Sequence, residues 1–280
     1  AAGGCRGRGV AGEKTGAWSI VLLEVLDKLP HDKLQHDLAN GILLEACVQQ
    51  IESVGKASNR DHKINDDRCP TWRESFRPLA DPALSHLVGI LELDSQEGLD
   101  AFEASFLPRA RSHWLTGLQQ GLLSLAQDSG RLFQARDVYV PTGCHALLKH
   151  LCAIFPEHHF TIADFSHWSM EAHATMKSDA INAPIVQSQQ NGVTQDWRGD
   201  YLAAPFGEAD IMFATSFEAL KLVYADVSRD KQPTKVLGTA EFMRHNAEFC
   251  KCATASGYNP LIDDFVNTCI FLTQSGDDDE

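Results

Sequence analysis

From Gly130 onward, short apolar runs alternate with stretches whose apolar residues recur every three or four positions, and this alternation most limits what the chain can become. Runs of four to six apolar or β-branched residues suit strands, the intervening spacing suits amphipathic helices, and the alternation of the two implies an α/β fold. The predicted strands are Asp137–Val140, Phe160–Asp164, Ala183–Gln187, Asp210–Ala214, Lys235–Gly238 and a last one around Cys269–Leu272. Helices are predicted over Gly143–Phe155 with Thr142 as N-cap, from a Thr215-x-x-Glu218 capping box through Tyr224, and over Ala240–Lys251. Asn191-Gly192 reads as a turn.

Ahead of this series, Trp18–Leu23 reads as a strand closed by Glu24 and Asp27, followed by the turn-prone Lys28-Leu-Pro30, a polar stretch to Gly41 and a second strand over Ile42–Ile51. Residues 54–71 have the composition of a surface loop. Over residues 81–130 the three-and-four spacing predicts two or three helices in an inserted subdomain, broken near Ser95–Gly98 and at Leu107-Pro108. Residues 1–17 read as a flexible lead and 274–280 as a solvated acidic tail, leaving 18–273 as the folded domain.

Composition removes several classes of function. With 280 residues of which 44% are hydrophobic, the chain can bury a full core, and disorder as a whole is excluded. A net charge of −14 excludes a broad nucleic-acid-binding surface, which needs clustered cations. Eight cysteines are too sparse for a disulfide scaffold and imply a reducing compartment; Cys250-Lys-Cys252 without a second pair is read as two ordinary thiols. Among the 12 histidines there is no H-E-x-x-H, and no metal site is expected. No run reaches the roughly 20 apolar residues of a membrane span. Gly7-Arg-Gly9-Val-Ala-Gly12 has the form G-x-G-x-x-G, but no strand leads into it, and Glu13 interrupts the overlapping P-loop-like stretch. G-x-S-x-G is absent, and Asp164-Phe-Ser166-His167 packs its residues too closely in sequence for a triad, so a hydrolase would need Ser166 with a distant histidine.

What remains is carboxylates at strand ends. Ligands of open α/β sheets bind outside the carboxyl ends of parallel strands, which is where Glu24, Asp27 and Asp164 are expected. Such groups accept protons or hydrogen bonds from cationic or hydroxyl-bearing ligands, and His31 in the same loop can relay a proton. Taken alone, Asp27 and Asp164 read equally as turn and helix caps.

Glu24-Val-Leu-Asp27-Lys-Leu-Pro30-His31-Asp32 resembles the (N)E-V/F-L/F-D-x-L-P-H/V segment of the MidA-like S-adenosylmethionine-dependent methyltransferases, the family that includes a mitochondrial complex I assembly factor with protein arginine methyltransferase activity. Tyr139–Thr142, Ala163–Ser166, Asn182–Gln187, Ala209–Phe213 with Thr215 and Phe217, Ala240–Phe242 and Ser256–Pro260 are similar to that family in the same order. The resemblance implies a Rossmann-like class I methyltransferase sheet with a helical insertion, S-adenosyl-L-methionine as cofactor, and methyl transfer to an arginine nitrogen of a protein acceptor, a respiratory complex I subunit, in mitochondria. It also allows a homodimer. It gives Glu24, Asp27 and His31 catalytic roles, with Pro30 fixing the loop and Asp164 and Ser166 on the substrate side.

The family also carries, upstream of this segment, a strand ending in a glycine-rich E-x-G-x-G loop and an acidic residue for the cofactor's ribose. Neither is recognisable ahead of Trp18. The chain is therefore expected to be incomplete at its amino terminus, with no assignable cofactor-binding residues and weak or no S-adenosylmethionine binding. The alternative function is a non-catalytic homologue acting as a protein-binding module.

Overall fold

The structure, a computed structural model, describes residues 18–37, 40–51, 71–107, 136–168, 180, 182–197, 201–204, 206–228 and 232–273. The lead, most of the loop expected over 54–71, the second half of the 81–130 insertion and the acidic tail lie outside the described residues.

Three sheets and a set of helices make a mixed α/β fold. The first sheet contains β1 (Trp18–Leu23), β6 (His158–Phe165), β11 (Thr268–Thr273) and β10 (Thr234–Gly238) in that order. β1 and β6 are parallel, whereas β11 runs antiparallel to both β6 and β10. The second sheet is fully antiparallel: β4 (Thr71–Pro78), β3 (Ile42–Ile51), β2 (Asp32–Asp37) and β5 (Arg136–Val140). The third joins β8 (Val193–Asp196), β7 (Ile185–Gln190) and β9 (Ala209–Met212), with the β7–β8 hairpin closed by Asn191 and Gly192, both at positive φ. The expected single sheet is thus divided, and among the described strands only β1 and β6 pair in parallel.

β6 shows how sequence sets the site. Its residues alternate buried and half-buried, so Phe160, Ile162 and Asp164 share the face turned to the core. On β1, Ile20 and Leu22 point inward while Trp18, Val21 and Leu23 stay exposed. Helices α1 (Pro82–Ile90), α2 (Gln96–Ala104), α3 (Thr142–Ile154) and α4 (Phe217–Val227) contribute Leu87, Leu99, Leu148 and Tyr224 to one continuous core with Phe160 and Phe271. Asp81 caps α1 by accepting from the amides of Ala83 and Leu84, and Ser95 caps α2 by accepting from Gly98. The expected break near Ser95 is therefore a helix start. Gly98 is obligatory there, because a Cβ would lie 2.0 Å from the carbonyl oxygen of Glu92.

Several local expectations are corrected. Thr142 is the first residue of α3 rather than its cap, and its hydroxyl bonds instead to Asp32 at 2.6 Å. Ser216, not Thr215, caps α4 through the amide of Ala219. The helix expected over 240–251 is two pieces, α5 (Thr239–Asn246) and α6 (Phe249–Cys252), followed by the single turn α7 (Pro260–Asp263). Among the described residues no helix is long and apolar enough to cross a membrane.

Candidate functional site

β1 and β6 end side by side, with Leu23 opposite Ala163 and the Glu24 amide bonded to the Ala163 carbonyl at 2.9 Å. Glu24 then turns the chain with φ at 51°, a left-handed conformation that glutamate seldom adopts, and its side chain is exposed. One turn of 3-10 helix follows, Leu26–Lys28, and it buries Asp27 completely. Asp27 is thus carried by a helical turn just past the strand.

Asp164, also completely buried, organises that turn. Its Oδ2 accepts the amides of Leu26 at 2.8 Å and Asp27 at 3.1 Å, and its Oδ1 accepts the amide of Phe165 at 2.8 Å. Burial pushes the Asp164 carboxyl up to about 6, with the neighbouring Asp27 charge adding to the rise and the three amides opposing it. Asp27 differs. Its Oδ2 meets Lys28 Nζ at 2.6 Å, while its Oδ1 is buried and has no hydrogen-bond partner among the described residues. A buried carboxylate oxygen left in that state costs free energy until a donor reaches it.

The segment between β9 and α4 closes one side, with the Phe213 amide donating to the Asp27 carbonyl at 2.8 Å and the Thr215 amide to Phe165 at 2.7 Å. His31 stacks on the Phe213 ring, centroids 3.9 Å apart and 16° between planes. Its Nδ1–H donates to the Leu29 carbonyl at 3.0 Å, which leaves Nε2 as the lone-pair nitrogen. Burial lowers His31 to about 4, so at neutral pH it is an uncharged imidazole and a weak base, less suited to relaying protons than the sequence implies. Beside it, Leu26, Pro141, Cys144, Thr215 and Val223 line a small, mostly apolar pocket. Burial holds the Cys144 thiol near 12, so that sulfur is inert.

Pro30 anchors the loop from below. Its carbonyl accepts the Gly143 amide at 2.9 Å, and a Cβ on Gly143 would approach that oxygen to 2.7 Å, so only glycine lets the loop sit on the start of α3. Ser166 is directed elsewhere: its amide and hydroxyl both donate to the Asn267 carbonyl, at 2.7 and 2.9 Å, and its Oγ accepts from His167 Nδ1 at 2.9 Å. The structure therefore gathers Asp27, Asp164, His31 and Pro30 in one loop system, sets Glu24 at its solvent edge, and ties Ser166 to the loop before β11.

A second charged cluster was not anticipated from sequence. Lys33 Nζ on β2 lies 2.7 Å from Glu74 and 2.9 Å from Asp137, the Tyr201 hydroxyl bonds Glu74, and Phe76 and Tyr139 flank the ammonium at 5.3 and 5.9 Å. Burial pulls the Lys33 ammonium down, but its hydrogen bonds to Glu74 and Asp137 outweigh burial and leave its pKa raised. Tyr139 also stands 5.6 Å from Phe213, which links this cluster to the His31 loop. Glu74 is 41 residues from Lys33, so local pattern could not have found it.

A family model described as "Putative S-adenosyl-L-methionine-dependent methyltransferase" matches residues 10–233. Two solved structures from Burkholderia thailandensis are similar in shape. One, bound to S-adenosyl-homocysteine, shares 11% identity at a TM-score of 0.45, covering 91% of this chain and 53% of that protein. The other, an uncharacterised member of the same superfamily, shares 14% identity at a TM-score of 0.43, covering 91% and 55%. The chain spans about half the length of these proteins. No curated protein matches it.

Proposed function

We propose that this chain, which belongs to that family of S-adenosyl-L-methionine-dependent methyltransferases, serves as a protein arginine N-methyltransferase whose acceptor guanidinium is held by Asp27. The observation that carries this reading is the buried Asp27 Oδ1, a carboxyl oxygen with no hydrogen-bond partner among the described residues, just past the carboxyl ends of a parallel strand pair. A guanidinium stays charged and offers forked N–H donors, which match a carboxylate in plane and in charge. Glu24 at the rim adds a second carboxylate for an incoming cation, and Asp164 fixes Asp27 through the two amides of the turn.

When bound, S-adenosylmethionine supplies an electrophilic methyl group, and transfer requires the acceptor nitrogen to be held in line with it. The described residues furnish the acceptor side of such a site; no glycine-rich loop for the cofactor is among them. The parallel β1–β6 pair supports a Rossmann-like reading of the first sheet, whose ligands sit beyond the strands' carboxyl ends. By resemblance, the acceptor is a subunit of respiratory complex I and the setting is the mitochondrion.

Incubation with radiolabelled S-adenosylmethionine and arginine-bearing complex I subunits tests this. Label should enter arginine, and Asp27→Asn should slow transfer roughly 10- to 100-fold, the equivalent of about 1.5–3 kcal/mol for a hydrogen bond to a charged group. An unchanged rate removes Asp27 from the mechanism. The reading as a protein-binding module is favoured by a different observation, the exposed Trp18, Val21 and Leu23 along β1, at 58%, 58% and 62%. Calorimetric titration with S-adenosylmethionine separates the two, since no heat from well-folded protein supports the module.

A further inference from the structure

His86 on α1, His145 on α3 and Asp226 on α4 bring three metal-ligating side chains to one point from three separate helices. His86 Nε2 lies 3.0 and 3.2 Å from the two Asp226 oxygens, and His145 Nε2 lies 3.2 Å from Oδ2, the oxygen nearer to His86. All the potential ligand atoms fall within 4.8 Å of one another. Zinc binds imidazole nitrogen and carboxylate oxygen at about 2.0–2.2 Å, which in tetrahedral geometry sets neighbouring ligand atoms roughly 3.3–3.5 Å apart. The two His–Asp separations lie within a few tenths of an ångström of that spacing, and the two imidazole nitrogens, within 4.8 Å of each other, close on a metal by rotamer adjustment of the exposed His86.

We propose that His86, His145 and Asp226 form a binding site for a divalent transition metal, zinc by its donor set, which staples α1, α3 and α4 together. Two imidazoles and one carboxylate suit zinc and its first-row neighbours rather than magnesium or calcium, which prefer oxygen. The site has a rigid floor and an open mouth, since the His145 side chain is 10% exposed while those of Asp226 and His86 are 27% and 54% exposed. A metal can therefore enter from solvent with one or more waters completing its coordination.

The test uses the full chain, stripped with chelator and titrated with Zn2+ by calorimetry, alongside the visible spectrum of the Co2+ form. One equivalent should bind to the wild type, raising its melting temperature, with a cobalt spectrum of nitrogen and oxygen ligands. Because the His86 side chain is more than half exposed, His86→Ala should melt like the metal-free wild type while losing at least tenfold in affinity together with the zinc-dependent rise. Asp226→Asn should behave alike. Retention of full affinity in His86→Ala overturns the proposal, as does a wild type that takes up no zinc. Thiolate charge-transfer bands in the cobalt form would move the metal to the cysteines and overturn it equally.

Discussion

The loop after β1 and the Lys33 cluster on β2 are joined by the line of rings His31, Phe213 and Tyr139, yet they treat buried charge in opposite ways. Around Lys33, each carboxylate meets the ammonium, and Glu74 also receives a tyrosine hydroxyl. Around Asp27, one carboxylate has its oxygens filled by backbone amides while the other keeps a buried oxygen without a donor among the described residues. The first arrangement is closed and ties three sheet strands, β2, β4 and β5, to the 3-10 turn Tyr201–Ala203. The second leaves an acceptor open, which the proposed function fills with a cationic group, and the turn that carries it is held by the amides that Asp164 binds. Under the proposed function, stability and ligand capture fall to neighbouring clusters.

Removing Asp164 should break this comparison most severely. Asp164→Ala leaves the buried amides of Leu26 and Asp27, each worth about 1–3 kcal/mol, and the part-buried amide of Phe165 without an acceptor, so chemical denaturation should show a loss of roughly 2–6 kcal/mol. Next in size is Lys33→Ala, which leaves Glu74 and Asp137 facing each other without a cation. The three side chains keep 12–20% exposure, so the cost should fall to about 2–4 kcal/mol rather than the full value of a dry ion pair. Methyl transfer per folded Lys33→Ala molecule should stay near wild type. A collapse of activity there would erase the division between the two clusters.

The pH dependence sharpens the contrast within the loop. The folded Asp164 carboxyl titrates near 6 against an ordinary 3.8, so between about pH 4 and 6 the folded chain holds a proton that the unfolded chain has released. Its contribution therefore falls as pH rises through that window, by at most roughly 3 kcal/mol. His31 acts in the opposite sense. Its folded value of about 4 lies below the ordinary 6.5, so the unfolded chain takes up the proton first and the His31 contribution grows as pH rises from about 4 to 6.5. Urea midpoints of the wild type should change little across this range, those of His31→Gln should fall with rising pH, and those of Asp164→Asn should climb.

What could be read without coordinates followed local pattern. β6 was legible because its alternation extends to Asp164, and the Asn191-Gly192 hairpin because those two residues tolerate positive φ. β2 was not: Asp-Lys-Leu-Gln-His-Asp looks like loop, and it becomes a strand because β3 and β5 pair with it on both sides and bury Leu34. Asp27 and Asp164 were found as strand-end carboxylates, but the difference between them depends on amides 137 and 138 residues away. The histidines joined by Asp226 come from helices up to 140 residues apart, and their convergence is a property of helix packing alone.

The smallest expected effect concerns Glu24, where the chain leaves β1 in a left-handed conformation. A non-glycine residue held there costs about 1–3 kcal/mol, and such strain gathers at sites where position matters more than stability. Glycine relieves the strain but gives the unfolded chain more freedom, worth about 0.5–1 kcal/mol in the other direction. Glu24→Gly should therefore raise the midpoint of denaturation slightly, by about 0.5–1 kcal/mol net. Methylation should fall by a few fold, because the rim loses the carboxylate that helps draw in the guanidinium. If Glu24→Gly is more stable and equally active, the rim carboxylate is only a turn residue, and recognition of the acceptor rests on Asp27 alone.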